Sequence, residues 1–280
     1  MKLRTKHQRQ PSVKPNFSRT LVCSVLYLAV ALLPSHGASA DQAVPPGSVV
    51  IPAGIYHPLF KSSANAPAEQ VRAFYLDITP VSNRQYLEFV KSNPNWQRSQ
   101  VRRIFADESY LKNWTGDLEL GSNAPPDGAV VYVSWYAAKA YAQWQGKRLP
   151  TVAEWEYAAS ASTTLANGEN DPKFRNDVLR WYADGKSTEF MPVTSGAKNF
   201  YGVRDLHGLI WEWTADFNSA LLGDSSSGSG ELDGKLVCGA GAQSAQAVDD
   251  YPAFMRYAFR SSLHADYCIH NLGFRCAKDL

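Results

Sequence analysis

The stretch Asn199-Phe200-Tyr201-Gly202-Val203-Arg204-Asp205-Leu206-His207-Gly208-Leu209-Ile210-Trp211-Glu212-Trp213-Thr214-Ala215-Asp216 decides the reading of this chain. Turn-forming Asn and Gly residues alternate with apolar ones, two tryptophans flank a glutamate, and three carboxylates recur at short spacing. Asp205-x-x-Gly208-x-x-x-Glu212 suits a hard cation. Ca²⁺ takes six to eight oxygens, commonly carboxylates mixed with the carbonyls of a tight turn. Asp205 and Glu212 would supply carboxylates, with the carbonyls of Gly208 and Ile210 between them. The competing reading is architectural: Asp205 stabilises a turn and Glu212 pairs with an arginine.

Working outward, two further blocks frame that run. Upstream, Val130-Val131-Tyr132-Val133 is expected to be a strand leading to Ser134, which caps a helix ending at Gly146. Trp135, Ala138, Tyr141 and Ala142 repeat at helical spacing along it. Lys147-Arg148-Leu149-Pro150 follows. Thr151 with Glu154 three residues on is then a capping box, opening a helix that turns Trp155, Ala158 and Ala159 inward. Downstream, Leu272-Gly273-Phe274-Arg275-Cys276 closes the chain. Nearer the start, Val49-Val50-Ile51 and Phe74-Tyr75-Leu76-Asp77 read as strands. Ser82 caps a helix whose Tyr86, Phe89 and Val90 share a face. Residues 93–128 read as a polar surface excursion with one helix over Val101–Phe105, and the Ser/Gly-rich residues 219–235 as a mobile surface loop.

In that order the three blocks resemble the formylglycine-generating enzyme family, also called the sulfatase-modifying-factor domain, over nearly all of residues 48–278. The resemblance implies an α+β, irregular, C-type-lectin-like fold with few short strands and helices. It also implies a structural calcium on Asp205, Gly208, Ile210 and Glu212. Leu209 stands where the family usually has Asn after the glycine, and that Asn is not one of the mapped ligands.

The family's oxygen chemistry runs at a copper ion on two cysteines five residues apart, just after an Arg-Gly-Gly-Ser-like strand. Cu(I) is soft and needs thiolates. The corresponding strand here reads Val237-Cys238-Gly239-Ala240-Gly241-Ala242, and the following Gln246–Ala253 holds no cysteine. The dicysteine copper mechanism is therefore not expected. Asp249, Asp250 and Arg256 surround the position of the family's cleft and are the catalytic candidates, since acids can move protons and arginine can hold a carboxylate. Arg260 and Arg275 are expected to sit in buried ion pairs bracing the end of the chain. Another arrangement, Cys238, His264, Cys268 and His270, offers ligands for copper or another transition metal, against ordinary surface histidines beside a bridged Cys268.

The first 40 residues carry six basic side chains and no acid, then the 13-residue apolar run Leu21–Leu33 and the end Ala38-Ser39-Ala40. That is the pattern of a secretory signal peptide, with cleavage expected after Ala40 and a domain over 41–280. The run is shorter than the ~20 residues a spanning helix needs, so no stable membrane anchor is expected after cleavage. The chain is then periplasmic or secreted. Beyond Ala40, 22 bases face 26 acids, a net charge of −4. A nucleic-acid partner, which usually asks for a basic face, gets no support. In an oxidising compartment Cys238, Cys268 and Cys276 give one disulfide and one thiol; three pairings are possible, and Cys238–Cys268 is preferred. Within the family resemblance, the usual partner of Cys276 falls at Ala142.

Two function classes remain. One is an exported maturation or accessory factor acting on another protein or a peptide-derived product, as the resemblance to pyoverdine-maturation and nitrite-reductase-associated relatives implies. The other is a non-catalytic peptide- or protein-binding module. A hydrolase is not indicated, because Gly241-Ala242-Gln243-Ser244 is not a nucleophile elbow.

Overall fold

The computed structural model describes residues 43–57, 68–184, 190–218 and 251–280. The leader, the loop at 219–235, Cys238, Asp249 and Asp250 lie outside them.

Seven short strands and five α-helices account for the regular structure of the described residues, an α+β fold. β1 (Ser48–Ile51), β4 (Phe74–Asp77) and β7 (Ala277–Asp279) form an antiparallel sheet in the order β1-β4-β7, with Val50 opposite Tyr75 and Tyr75 opposite Lys278. The middle strand is the most apolar of the three, with Phe74, Tyr75 and Leu76 all buried. β2 (Gly54–Tyr56) pairs antiparallel with β3 (Glu69–Val71). β5 (Trp211–Glu212) and β6 (Leu272–Gly273) form a two-residue parallel pair. That pair is small, but it sets Glu212 against the strand that leads to Arg275.

The helix starts follow the capping residues. Ser82 makes a reciprocal capping box with Gln85 ahead of α1 (Asn83–Ser92), and Tyr86, Phe89 and Val90 are buried. Ser134 caps α2 (Trp135–Trp144), and Gly146 beyond it takes φ +65°. Thr151 and Glu154 make the second box, opening α3 (Val152–Ala159). Its first turn is held twice more. Asp216 accepts from the Val152 amide at 2.7 Å, and Arg148 grips Glu154 through two bonds of 2.7 Å. α4 (Pro172–Asp184) and α5 (Tyr251–Ser261) complete the set.

The main core is aromatic. Tyr86, Phe89, Trp114, Tyr141 and Phe274 sit within one cluster, with Tyr86 stacked on Tyr141 at 5.7 Å and edge-on to Trp114 and Phe274. Its polar atoms are satisfied: the Tyr86 and Tyr110 hydroxyls meet at 2.8 Å, and the Trp114 indole donates to Asn83 at 3.1 Å.

Three expectations are corrected here. Residues 130–133 are not a strand, because their amides bond singly to different segments, Val130 to Val81 and Tyr132 to Ile269. Tyr132 itself has φ +58°, which an extended ladder cannot include. Residues 101–105 form turns rather than a helix; the 3₁₀ turn Pro94–Trp96 lies earlier. Nor is 93–128 only surface, since Ala106, Tyr110, Leu111, Trp114 and Ala124 are buried. The buried Asn83 amide holds this irregular chain by donating to the carbonyls of Pro125, Gly128 and Ala129 at 3.0 to 3.2 Å. No helix among the described residues is long and apolar enough to cross a membrane.

Candidate functional site

Two adjacent residues of α3, Trp155 and Glu156, connect two buried ionic centres. In the first, Glu212 and Arg275 are both fully buried, and Arg275 donates from Nε to Oε2 and from Nη2 to Oε1, each at 2.8 Å. The Trp155 indole adds a third donor to Oε2 at 2.8 Å. Arg275 spends its remaining donors on the carbonyls of Asp77, Ile78 and Arg204. It thus ties the run 204–212 to the end of β4. This is the arginine partner that the sequence offered as the alternative for Glu212, and the bracing role expected of Arg275.

Asp205 stands beside this pair under strain. Its backbone has φ +58°, uncommon for a residue with a side chain, and Gly208 follows at φ +102°. Burial pushes the Asp205 carboxyl up to about 6; Arg275 counters that, and the neighbouring Glu212 charge adds to it. Gly196 gives it a backbone hydrogen bond, yet Oδ2 is buried without a partner among the described residues. An unpartnered buried carboxylate oxygen that feels the charge of a second carboxylate is what a cation would relieve. Glu212 has about four acceptor directions and spends three, leaving one on Oε1. Asp205 Oδ2 and the free direction of Glu212 Oε1 are oxygen donors of the kind a hard ion takes. Asp216, the third acid of the run, is committed to the start of α3.

In the second centre Glu156 receives two arginines from α5. Arg256 donates from Nε and Nη2 at 2.8 and 2.7 Å, and Arg260 from Nη1 at 2.6 Å. Burial alone would raise the Glu156 carboxyl, but the two guanidinium charges outweigh it and hold the group at about 2. Arg256 also donates to the Tyr182 hydroxyl of α4 at 3.2 Å. Both guanidiniums lie over the Trp155 ring, at 5.8 and 5.1 Å. His207 closes the back of the site among Trp155, Phe174 and Tyr182. Burial and then Arg256 depress it to about 4, so it is neutral near pH 7. Its Nε2 lies 2.9 Å from the Ala159 carbonyl and donates to it, leaving Nδ1 as a buried acceptor without a partner among the described residues.

The remaining sulfur and histidine residues are scattered. Cys268 and Cys276 are buried and form no bridge with each other. Burial, reinforced by Asp107 and Asp77 respectively, pushes both thiols well above their ordinary range. Ala142 is likewise buried in the core. His264 and His270 are exposed, with His264 stacked on Tyr267 at 4.8 Å. Among the described residues no three His, Cys, Asp or Glu side chains gather closely enough to hold a metal. The Cys238–Cys268 pairing turns on a residue outside the described set.

The sequence comparisons agree with this architecture. The model of the sulfatase-modifying factor enzyme 1-like domain matches residues 35–280. The chain belongs to that family. The formylglycine-generating enzyme of Bos taurus is 30% identical, the match spanning 88% of this chain and 80% of the relative. The inactive C-alpha-formylglycine-generating enzyme 2 of the same species is 31% identical over 74% and 77%. Among solved structures, PvdO from Pseudomonas aeruginosa aligns with a TM-score of 0.46 and 19% identity, covering 83% of this chain and 94% of that one. Proteins named for the reaction and a protein named inactive thus carry the domain, so chemistry rests on the site.

Within this sulfatase-modifying-factor domain, the sequence singled out Asp205, Glu212 and Arg256; the structure places Glu212 on Trp155 and Arg256 on Glu156, with Asp205 beside the Glu212–Arg275 pair. What sequence reasoning missed is Glu156 itself. Its signal was a carboxylate on the inward-facing helix turn Trp155–Ala159, where an unpaired charge is not tolerated.

Proposed function

We propose that this protein is an exported maturation or accessory factor that takes a protein or peptide-derived partner and does not use the dicysteine copper reaction. The observation that carries the reading is the fate of the sulfur. Only three cysteines follow the leader, and Cys268 and Cys276 are buried with raised thiols. Cu(I) held by a pair of thiolates needs two cysteines at one ion, and Gln246–Ala253 offers none. Cys238 alone is left for that role. The basic, apolar, small-residue pattern of residues 1–40 supports export, with a mature chain beginning at Asp41.

The test is direct. The mature protein, supplied with copper, reductant and oxygen, is mixed with a cysteine-containing sulfatase-type peptide, and the product is read by mass spectrometry. No aldehyde is expected; its appearance would overturn the reading.

We also assign calcium to the Asp205 turn, on Asp205, Gly208, Ile210 and Glu212. The unpartnered Asp205 oxygen and its unfavourable neighbour Glu212 support this. Calcium there would neutralise two carboxylates and fix the turn between Arg204 and β5, a structural service. A binding module without turnover is the second reading. It is favoured by the number of ionisable side chains that the site commits to one another rather than to a free surface.

A further inference from the structure

Among the described residues the Glu156 centre is out of charge balance. One carboxylate faces two guanidiniums, all three groups about nine-tenths buried. The other titratable neighbours do not correct this. His207 is neutral, and burial raises Tyr56 and Tyr182 above their ordinary range, so both stay protonated. Glu69, opposite Tyr56 on β3, has its carboxyl raised by burial and then by the charges of Asp216 and Glu154. Among the described residues one unit of positive charge is left in a largely desolvated place, which is costly unless an anion meets it.

We propose that Arg256 and Arg260, with the hydroxyls of Tyr56 and Tyr182, form a binding site for a carboxylate group. Arg260 gives one hydrogen bond, from Nη1, so its Nε and Nη2 donors have no partner among the described residues. The Arg260 side chain keeps about a tenth of its surface exposed, so its guanidinium is not fully sealed from solvent. The planar edge that Nε and Nη2 form matches the two oxygens of a carboxylate. Glu156 and the face of Trp155 fix the guanidinium planes, which lowers the ordering cost of binding. Tyr182 already touches Arg256, and Tyr56 lies close enough to feel Glu156 and both arginines. Two arginines with phenol donors beside them select a planar anion over a neutral amide of the same shape. The carboxylate can come from a small free acid or from a peptide side chain or C-terminus. The peptide source rests on the accessory-factor reading; the anion site does not.

The experiment uses the mature full chain and four probes: acetate, acetamide, a short peptide with a free C-terminus, and that peptide amidated. Affinity is read by calorimetry and by the fluorescence of the tryptophans. Acetate should bind where acetamide does not. Arg260→Lys, which keeps the charge, should weaken binding at least tenfold, and Tyr56→Phe, which leaves every ion pair intact, several-fold. Thermal unfolding midpoints confirm that both variants fold. A free-acid peptide that binds more tightly than acetate, and more tightly than its amide, makes the peptide the source. Acetate binding with no peptide binding supports the site and removes the accessory reading. Equal binding of acetate and acetamide, or affinity unchanged in both variants, overturns the proposal. So does binding that appears only after Asp249→Asn with Asp250→Asn, because the chain's own acids would then be the occupant.

Discussion

Glu156 shows how one side chain sets the terms for its surroundings. Its carboxylate accepts from both arginines of α5, so removing the charge strands two buried guanidiniums. Glu156→Gln should cost about 3–5 kcal/mol, measured by chemical denaturation at neutral pH. Linkage gives a second signature. The folded carboxyl lies at about 2 against 4.5 for the free group, so its stabilisation is complete above about pH 4.5. It is lost as pH falls toward 2, where the unfolded chain binds the proton first. A stability profile across that window should fall in the wild type and flatten in Glu156→Gln; the same slope in both would refute the assignment. Glu212 was legible in the sequence as either a metal ligand or an arginine partner. The structure uses it as the partner and leaves one acceptor direction over. Gly273 makes a different point. A Cβ there would strike the Val130 carbonyl, so β6 passes too close to irregular backbone for any side chain. Gly273→Ala should lower the unfolding midpoint by several degrees, and no change would mean that the backbone gives way.

At the scale of elements, helix starts were readable because their causes are local. Ser82, Ser134 and Thr151 cap within three residues of themselves, and each cap is in place. Thr151→Ala should cost about 1 kcal/mol, since it frees the Glu154 amide and breaks the reciprocal box. The check is the comparison with Ser82→Ala. Thr151 should be the less sensitive of the two if Asp216 and Arg148 hold that turn independently; a larger loss at Thr151 would show that they depend on the cap. Irregular elements were not readable in the same way. Residues 124–133 owe their path to the Asn83 side chain and to single hydrogen bonds that the Val130 and Tyr132 amides donate to the Val81 and Ile269 carbonyls, more than 40 residues away in sequence for several contacts. No local pattern encodes such partners, and the apolar run Val130–Val133 imitates a strand because it is buried for another reason. α5 escaped notice for a related cause: its buried face carries Arg256 and Arg260, charged residues where a hydrophobic stripe would ordinarily be sought.

For the whole molecule, the question is why a fold with so few strands holds together. Its answer lies in long-range polar ties rather than ladders: Arg275 to the end of β4, Arg148 to Asp279 and Glu154, Lys147 to Asp77. All but Arg148–Glu154 join segments distant in sequence, and Arg275 brings one of these ties to the Asp205 turn through the Arg204 carbonyl. A cation there would act on the stability of the entire domain, because unfolding would release it. At a free concentration a hundred times its dissociation constant, such an ion adds about 2.7 kcal/mol. For a domain of this size that is roughly 5–10 °C in unfolding midpoint. The measurement is a thermal scan of the mature protein after chelation, then with calcium, then with magnesium, which demands a tighter octahedral site. Calcium should raise the midpoint, magnesium should do so weakly, and Asp205→Asn should abolish the response while leaving the chelated midpoint unchanged or higher, since it removes a buried carboxylate that burial disfavours. A midpoint indifferent to calcium in the wild type would mean that Arg275 alone balances Glu212 and that Asp205 is carried as unrelieved strain.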